Sequence, residues 1–145
     1  PYHCECHVTA RLLAERLGLG RDDWMITFQS RFGRAKWLEP YTEPTVKQLA
    51  AKGVKNIDVI CPGFAVDCLE TLEEVGMEIR DAFVAAGGQA CHYIPCLNDD
   101  DRWIAALADI VERHLQGWPT SPDAAMPAAT RAAGRERALA LGASD

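Results

Sequence analysis

The spacing of hydrophobic positions along the chain predicts helices and strands in alternation. Apolar residues recur every three or four positions in four segments, and each of these segments stops at a glycine, as helices commonly do. The predicted helices cover residues 5–17, a segment from Thr42 to a stop at Gly53, residues 68–86, and a segment capped by Asn98 or Asp99 that ends at Gly117. Three shorter β-rich runs lie between them and predict strands at Trp24–Phe28, Val54–Cys61 and Cys91–Pro95.

This order of elements is typical of an α/β fold in which parallel strands are joined by right-handed helical crossovers. We therefore predict a doubly wound parallel sheet with flanking helices over residues 1–116. In open sheets of this kind, ligands bind beyond the carboxyl ends of the strands. Those ends carry residues 29–31, 62–64 and 95–98, so we expect the functional site where these three segments meet.

Residues 117–145 form a tail of different composition, dominated by Pro, Ala, Gly, Ser and Arg. The run Pro119-Thr120-Ser121-Pro122 is typical of a linker. Thr130 to Leu141 predicts a weak Ala/Arg helix. No residue of the tail suggests chemistry.

Composition excludes several classes of protein. The 145 residues carry a formal net charge of −6, which argues against a non-specific nucleic-acid binder and hence against a nucleic-acid partner. No apolar run approaches the roughly 20 residues that span a bilayer, and no secretory signal peptide is visible. The sequence begins at Pro1 without a methionine, close to a predicted helix, and we interpret it as a fragment or a chain whose upstream part is missing.

The six cysteines do not suggest a disulfide framework in a chain of this size and class. The first two form Cys4-x-Cys6, flanked by His3 and His7. This group is a candidate metal site, although the CxC spacing alone is a weak signal. The alternative is that all six are reduced cytosolic thiols, some of them packed as small hydrophobic residues.

Four acids, the first just before the third predicted helix and the others within it, follow one another at spacings of 3, 4 and 4: Asp67, Glu70, Glu74 and Glu78. At 3.6 residues per turn they share one side of a helix, and we call them the acidic face. The predicted apolar side comprises Leu69, Leu72, Val75, Ile79 and Phe83. Like charges four residues apart repel, so the acidic face is stabilised either by solvent or by a bound cation. Periodicity alone favours a solvated face.

Three strings in the chain are similar to one known family. They are Phe28-Gln29-Ser30-Arg31-Phe32-Gly33 with Lys36-Trp37-Leu38 and Pro40, then Pro62-Gly63-Phe64 with Asp67-Cys68-Leu69-Glu70-Thr71-Leu72-Glu73-Glu74, then Ile94-Pro95-Cys96-Leu97-Asn98-Asp99. Together they resemble the ferrochelatases, which insert Fe²⁺ into protoporphyrin IX in the terminal step of haem synthesis. The resemblance covers residues 1–116 and corresponds to the C-terminal half of those enzymes.

The resemblance implies two similar α/β halves around a porphyrin cleft. The metal is handled by a histidine from the N-terminal half, which this chain lacks, and by the glutamate that corresponds to Glu70. The resemblance also matches Asp67, Glu74 and Glu78 to further family carboxylates, whereas Cys68 stands where members often have histidine and many bacterial ones have cysteine. Some members hold an iron–sulfur cluster partly through C-terminal cysteines. No cysteine follows Cys96, so that version is not expected, and a cluster built from the other cysteines stays open.

From this we predict roles for seven residues. Glu70 and Asp67 are the expected catalytic residues, with Glu70 as iron ligand or proton acceptor, and Glu70, Glu74 and Glu78 are the expected metal-binding residues. Trp37 is expected to pack on the macrocycle, and Arg31 or Ser30 to meet a propionate. Simpler roles are also open, because Gln29 and Ser30 can cap loop backbone groups and Asn98 can be only an N-cap.

The expected partners are protoporphyrin IX, Fe²⁺ as substrate, and the N-terminal half of the same enzyme. The expected location is the cytoplasm, with loose peripheral association with the membrane because haem is so apolar. Two other functions remain open: a chelatase that acts on another tetrapyrrole, and a non-catalytic haem- or metal-binding module or inactive fragment.

Overall fold

The structure is a computed structural model that describes residues 1–31, 33–118 and 126–144. Its elements are α1 Tyr2–Leu17, α2 Thr42–Ala51, β1 Asn56–Ile60, a π-helix Glu70–Ile79, α3 Arg80–Ala85, β2 Ala90–Ile94, α4 Asp101–His114 and α5 Ala128–Ala140. The chain divides into two compact units, Pro1–Trp103 and Ile104–Asp145. All elements that concern the site lie in the first unit.

The sheet of the first unit pairs β1 with β2 in parallel, in register from Asn56 opposite Ala90 to Ile60 opposite Ile94. Alternate side chains of both strands are half-buried and alternate ones are exposed. The π-helix and α3 connect the two strands, as a crossover between parallel strands requires. A parallel sheet flanked by helices is therefore confirmed.

The predicted strand Trp24–Phe28 is wrong. Phe28 forms only an isolated parallel bridge with Tyr41. Its N–H donates to the Pro40 carbonyl (2.8 Å), and its carbonyl accepts from the Thr42 N–H (3.0 Å). The segment thus pairs with the residues just before α2, so within the described residues the sheet has two strands. β-rich composition indicates a surface that can pair, but the strand itself needs a partner.

The core lies between α2 and the helices that follow β1. Its buried members are Val46, Ala50, Ile79 and Phe83, and partly buried side chains of both strands pack against them. Phe83 is completely buried, and a Cβ on Gly88 would lie 2.3 Å from its ring. Gly88 therefore has to be a glycine for the ring to fill this space.

The acidic helix is not a single α-helix. Residues Glu70–Ile79 form a π-helix, whose hydrogen bonds run from i to i+5, and α3 continues from it. The buried positions advance in steps of four, at Thr71, Val75 and Ile79. Leu69 and Leu72 were predicted on the apolar side, but they are 65% and 54% exposed. The wider turn brings Thr71 inward in place of Leu72.

In the second unit, α5 occupies Ala128–Ala140, close to the weak helix predicted at 130–141. The predicted linker at 119–122 lies outside the described residues, and the boundary after residue 116 stays a prediction.

The start of α4 differs from expectation. It begins at Asp101, and the Asp100 carboxylate accepts a hydrogen bond from the Arg102 N–H (3.0 Å), so Asp100 takes the capping position predicted for Asn98 or Asp99. Within the described residues, every helix is too short or too polar to cross a bilayer.

Candidate active site

Side chains from three separate segments meet at the start of the π-helix. The segment after Phe28 contributes Gln29 and Ser30, the loop after β1 contributes Asp67, and the loop after β2 contributes Asn98. Both β-strands end at this edge of the sheet, which is where an α/β fold binds its ligands. Of the three segments expected at the site, residues 29–30 and Asn98 meet there, and the loop after β1 contributes Asp67 rather than residues 62–64.

Asp67 lies at the centre of a hydrogen-bond network just before the π-helix. Its Oδ1 accepts from the Tyr93 hydroxyl (2.5 Å), the Thr71 hydroxyl (3.0 Å) and the Cys96 N–H (3.3 Å). Its Oδ2 accepts from the Asn98 amide (2.8 Å), whose oxygen accepts the Asp67 N–H (2.8 Å). These donors, led by Asn98 and Tyr93, hold the pKa of Asp67 well below its usual range. Its predicted catalytic role stays a prediction.

The polar groups around Asp67 keep their protons. Burial, followed by the Asp67 carboxylate, raises the pKa of Tyr93, so its hydroxyl remains a donor. Burial raises the pKa of Cys61 to about 11 and also raises that of Cys96, and the nearby negative charges add to the effect. All six cysteines are free. Since the thiolate is the form that binds metal, these surroundings disfavour ligation by Cys61 or Cys96.

Glu70 begins the π-helix and is half-buried. A side-chain hydrogen bond with Cys68 is the main cause of its lowered pKa, and its own backbone N–H adds to the effect. Its carbonyl accepts a hydrogen bond from the Gln29 amide (3.0 Å). The side chain of Glu70 is thus kept in its ionised form, and its backbone is held by Gln29, which lies 41 residues away in the sequence.

Glu74 lies one turn further along the π-helix. Its Oε2 accepts hydrogen bonds from the Gln29 amide (3.1 Å) and from the Ser30 hydroxyl (2.5 Å). We call Gln29 and Ser30 the clamp. The clamp fixes one carboxylate oxygen of Glu74 and, through the Glu70 carbonyl, the first turn of the helix. Glu78 follows after a further four residues and is exposed.

No cationic side chain of the described residues neutralises the acidic face. The five Lys or Arg ion pairs between described residues, and the contact of His92 with Asp58, all lie outside the acidic face. In the same part of the chain, no group of three or more His, Cys, Asp or Glu side chains is placed to hold a metal ion. The acidic face therefore carries negative charge that hydrogen-bond donors stabilise at Asp67 and Glu74 but that none of these ion pairs offsets, and it is not a complete metal site. The predictions that concern an iron–sulfur cluster stay predictions.

The remaining predicted residues lie in the loop after the clamp. Ser30 and Arg31 line an open depression of about 290 Å³. Arg31 donates to the Arg34 carbonyl (2.7 Å), and Trp37, 42% exposed, donates its N–H to the Tyr41 hydroxyl (3.4 Å). Within the described residues, Arg31 and Trp37 make no hydrogen bond to the acidic face. Phe32 of the same motif lies outside the described residues.

Three parts of this site escape sequence reasoning. Gln29 and Asn98 suggested only local capping, whereas each holds an acid far away in the chain. Tyr93 and Thr71 looked like ordinary strand and helix residues, yet both donate to Asp67. The π-helix has no signal in the hydrophobic pattern. The sequence offers one hint of the π-helix: Thr71, and not Leu72, stands four residues before Val75, which is the step at which the buried positions advance.

Comparison with known proteins assigns the sequence to a family. The sequence model of the ferrochelatase family matches residues 1–115. Ferrochelatases of Methylibium petroleiphilum and Polaromonas sp. are 63% and 62% identical to the chain over 99% of its length, and that of Marinobacter nauticus is 56% identical over all of it. The chain spans only 38–40% of the length of these relatives. On this match, the chain belongs to the ferrochelatase family.

Proposed function

We propose that this chain is the C-terminal, iron-handling part of an enzyme that inserts Fe²⁺ into protoporphyrin IX to give protohaem. One observation carries the proposal. The clamp reaches 44 and 45 residues along the sequence to hold Glu74, at the sheet edge where this fold binds ligands. Membership of the ferrochelatase family supports the choice of reaction.

Metal insertion requires the hydrated Fe²⁺ to shed water and the porphyrin to lose two pyrrole protons. Carboxylate and imidazole ligands suit a divalent iron that must be bound and then released. Glu70 is the residue we assign to iron. Its lowered pKa keeps the carboxylate anionic and makes it a weaker base. Glu70 is therefore better suited to bind Fe²⁺ than to accept a pyrrole proton. The protons then pass to a neighbouring carboxylate or to solvent.

The other acids differ in their surroundings and hence in their roles. Glu74 is oriented by the clamp, and Glu78 is exposed, so both are suited to attract the cation toward Glu70. Asp67 has both oxygens engaged by donors. We therefore assign Asp67 a positioning role: it fixes the start of the π-helix and thereby the place of Glu70.

The porphyrin requires an apolar wall and a partner for its propionates. Exposed apolar side chains flank the acidic face in sequence, among them Val66, Leu69 and Leu72, and Trp37 is also exposed. The Ser30 hydroxyl is already engaged by Glu74. Arg31 is therefore the residue we assign to a propionate, to which a guanidinium gives strong charge-assisted hydrogen bonds.

The second wall of the cleft comes, in this proposal, from the N-terminal part of the enzyme and supplies the histidine. Two observations support this: the chain spans about two fifths of its relatives, and its acids do not by themselves make a three-ligand site within the described residues. We expect the isolated 145 residues to be inactive, and robust turnover by them would contradict this part. We keep the cytoplasm, with loose membrane association, as the proposed location.

Metal insertion by the complete natural chain tests the proposal. Offered protoporphyrin IX with Fe²⁺, or sirohydrochlorin with Co²⁺, it should metallate the first. Preference for sirohydrochlorin would make it a chelatase for another tetrapyrrole, and binding without turnover would make it a non-catalytic module. Glu74→Gln should lower kcat/KM at least about tenfold, or about 1.4 kcal/mol of transition-state stabilisation. Glu73→Gln, which removes the same charge from the adjacent exposed position, should leave it near wild type.

A further inference from the structure

Two histidines of α1 lie with their ring nitrogens facing each other. His3 and His7 are four residues apart, so they stand on consecutive turns of the same helical side. Their Nε2 atoms are 3.2 Å apart, and their rings are tilted by 56° with centroids 4.4 Å apart. Both side chains are exposed. In the metal-free pair, one Nε2–H donates to the other Nε2.

The separation of the two nitrogens is the one that a transition metal requires. With metal–nitrogen bonds of 2.0–2.1 Å, two ligands on one ion lie about 2.9 Å apart at a right angle and about 3.3 Å apart at a tetrahedral angle. The observed 3.2 Å falls inside this range. When the ring that donates through Nε2 carries its hydrogen on Nδ1 instead, both Nε2 lone pairs are free to bind one metal ion while the helix backbone stays in place.

A buried aromatic ring holds the pair in position. Phe28 stacks against His3 with centroids 5.7 Å apart and 25° between the planes, and it lies 6.4 Å from the ring of His7. Phe28 is only 7% exposed, and backbone hydrogen bonds to Pro40 and Thr42 fix its place. Because the rings are already ordered, binding a metal costs less side-chain entropy.

We propose that His3 and His7 form a two-imidazole site on α1 for a divalent transition metal of the Zn²⁺, Ni²⁺ or Cu²⁺ class. Imidazole suits these ions, whereas Mg²⁺ and Ca²⁺ take oxygen ligands. The remaining coordination positions are open to water or to a small ligand. The four-residue site suggested by the sequence is thus reduced to its histidines, since no set of three or more ligands forms in the described part of the chain.

Calorimetric titration of the complete natural chain with Ni²⁺ tests the site. His3→Gln and His7→Gln should each remove one Ni²⁺ site or weaken it at least about tenfold. The double variant should lose no more than either single one, because one ligand alone does not make the site. His92→Gln is the matched control: His92 is also exposed, on β2, and 3.5 Å from Asp58. It should bind Ni²⁺ as the wild type does.

Two results would overturn the proposal. One is wild-type Ni²⁺ binding by both single histidine variants, with circular dichroism showing that they are folded. The other is an equal loss of Ni²⁺ binding in Cys4→Ser or Cys6→Ser, which would show a thiol-containing site instead. Iron insertion into porphyrin should be unchanged in the histidine variants, so the outcome does not depend on the proposed function.

Discussion

Thr71 offers the sharpest structural test of how the site is built. Its side chain is completely buried, and its Oγ1 accepts the Cys68 N–H at 2.9 Å while donating to Asp67 at 3.0 Å. Thr71→Val keeps the shape but leaves the Cys68 amide without its partner, which costs about 1–3 kcal/mol. Thr71→Ser keeps the hydroxyl and loses one methyl group, which costs about 0.8 kcal/mol. The valine variant should therefore be the less stable of the two.

Urea unfolding of the complete chain measures the difference. With a slope of about 2 kcal/mol per M, Thr71→Val should lower the midpoint by about 0.5–1.5 M and Thr71→Ser by about 0.4 M. Because the same hydroxyl anchors the start of the helix that carries Glu70, iron insertion should fall more in the valine variant. A valine variant as stable and as active as the serine variant would refute this reasoning.

Three further predictions concern the site and its support. Cys68→Ala removes the main hydrogen bond that lowers the pKa of Glu70, so the acidic limb of the pH–rate profile should move to higher pH. Gly88→Ala places a Cβ 2.3 Å from the Phe83 ring and should lower the free energy of unfolding by about 1–3 kcal/mol, measured in urea. The depressed pKa of Asp67 stabilises the fold fully above its unfolded pKa of about 3.9 and progressively less as pH falls below it, so the gap between the urea midpoints of wild type and Asp67→Asn should narrow as pH is lowered below about 4.

Each of these has a control. Cys68→Ser retains a donor and should keep the acidic limb in place, so an equal shift in both Cys68 variants would contradict the hydrogen-bond explanation. Gly63→Ala meets no atom within 4 Å and should be neutral, and equal costs at both glycines would argue against the Phe83 clash. A gap between wild type and Asp67→Asn that widens in acid would reverse the sign assigned to Asp67.

Local patterns were sufficient for most elements of the first unit. The apolar spacing and glycine stops predicted α1, α2 and the acidic segment, and β1 and β2 fall inside their predicted ranges or within one residue of them. Trp24–Phe28 was predicted as a strand because its composition is β-rich. Strand formation depends on a pairing partner far away in space, and composition does not contain that information.

The location of the site could be predicted from the sequence, but the hydrogen bonds that build it could not. The carboxyl ends of the strands and the acid spacing indicated where the site lies, and the family resemblance identified Glu70 and Glu74 as candidates. The bonds that orient them join residues 41 to 45 positions apart, such as Gln29 to Glu74. Spacing rules operate within one helix or strand, so they indicated a cap at Asn98 where the fold makes a paired contact with Asp67.

In the proposed reaction, Glu70 handles the iron and other residues bind the porphyrin. The most direct measurement compares porphyrin affinity, from fluorescence, with single-turnover Fe²⁺ insertion in the complete natural chain and in Glu70→Gln. We expect Glu70→Gln to leave the porphyrin affinity unchanged and to lower the insertion rate at least about 100-fold, within the range for removal of a catalytic group. A Glu70→Gln enzyme that inserts iron at the wild-type rate would contradict this role of Glu70.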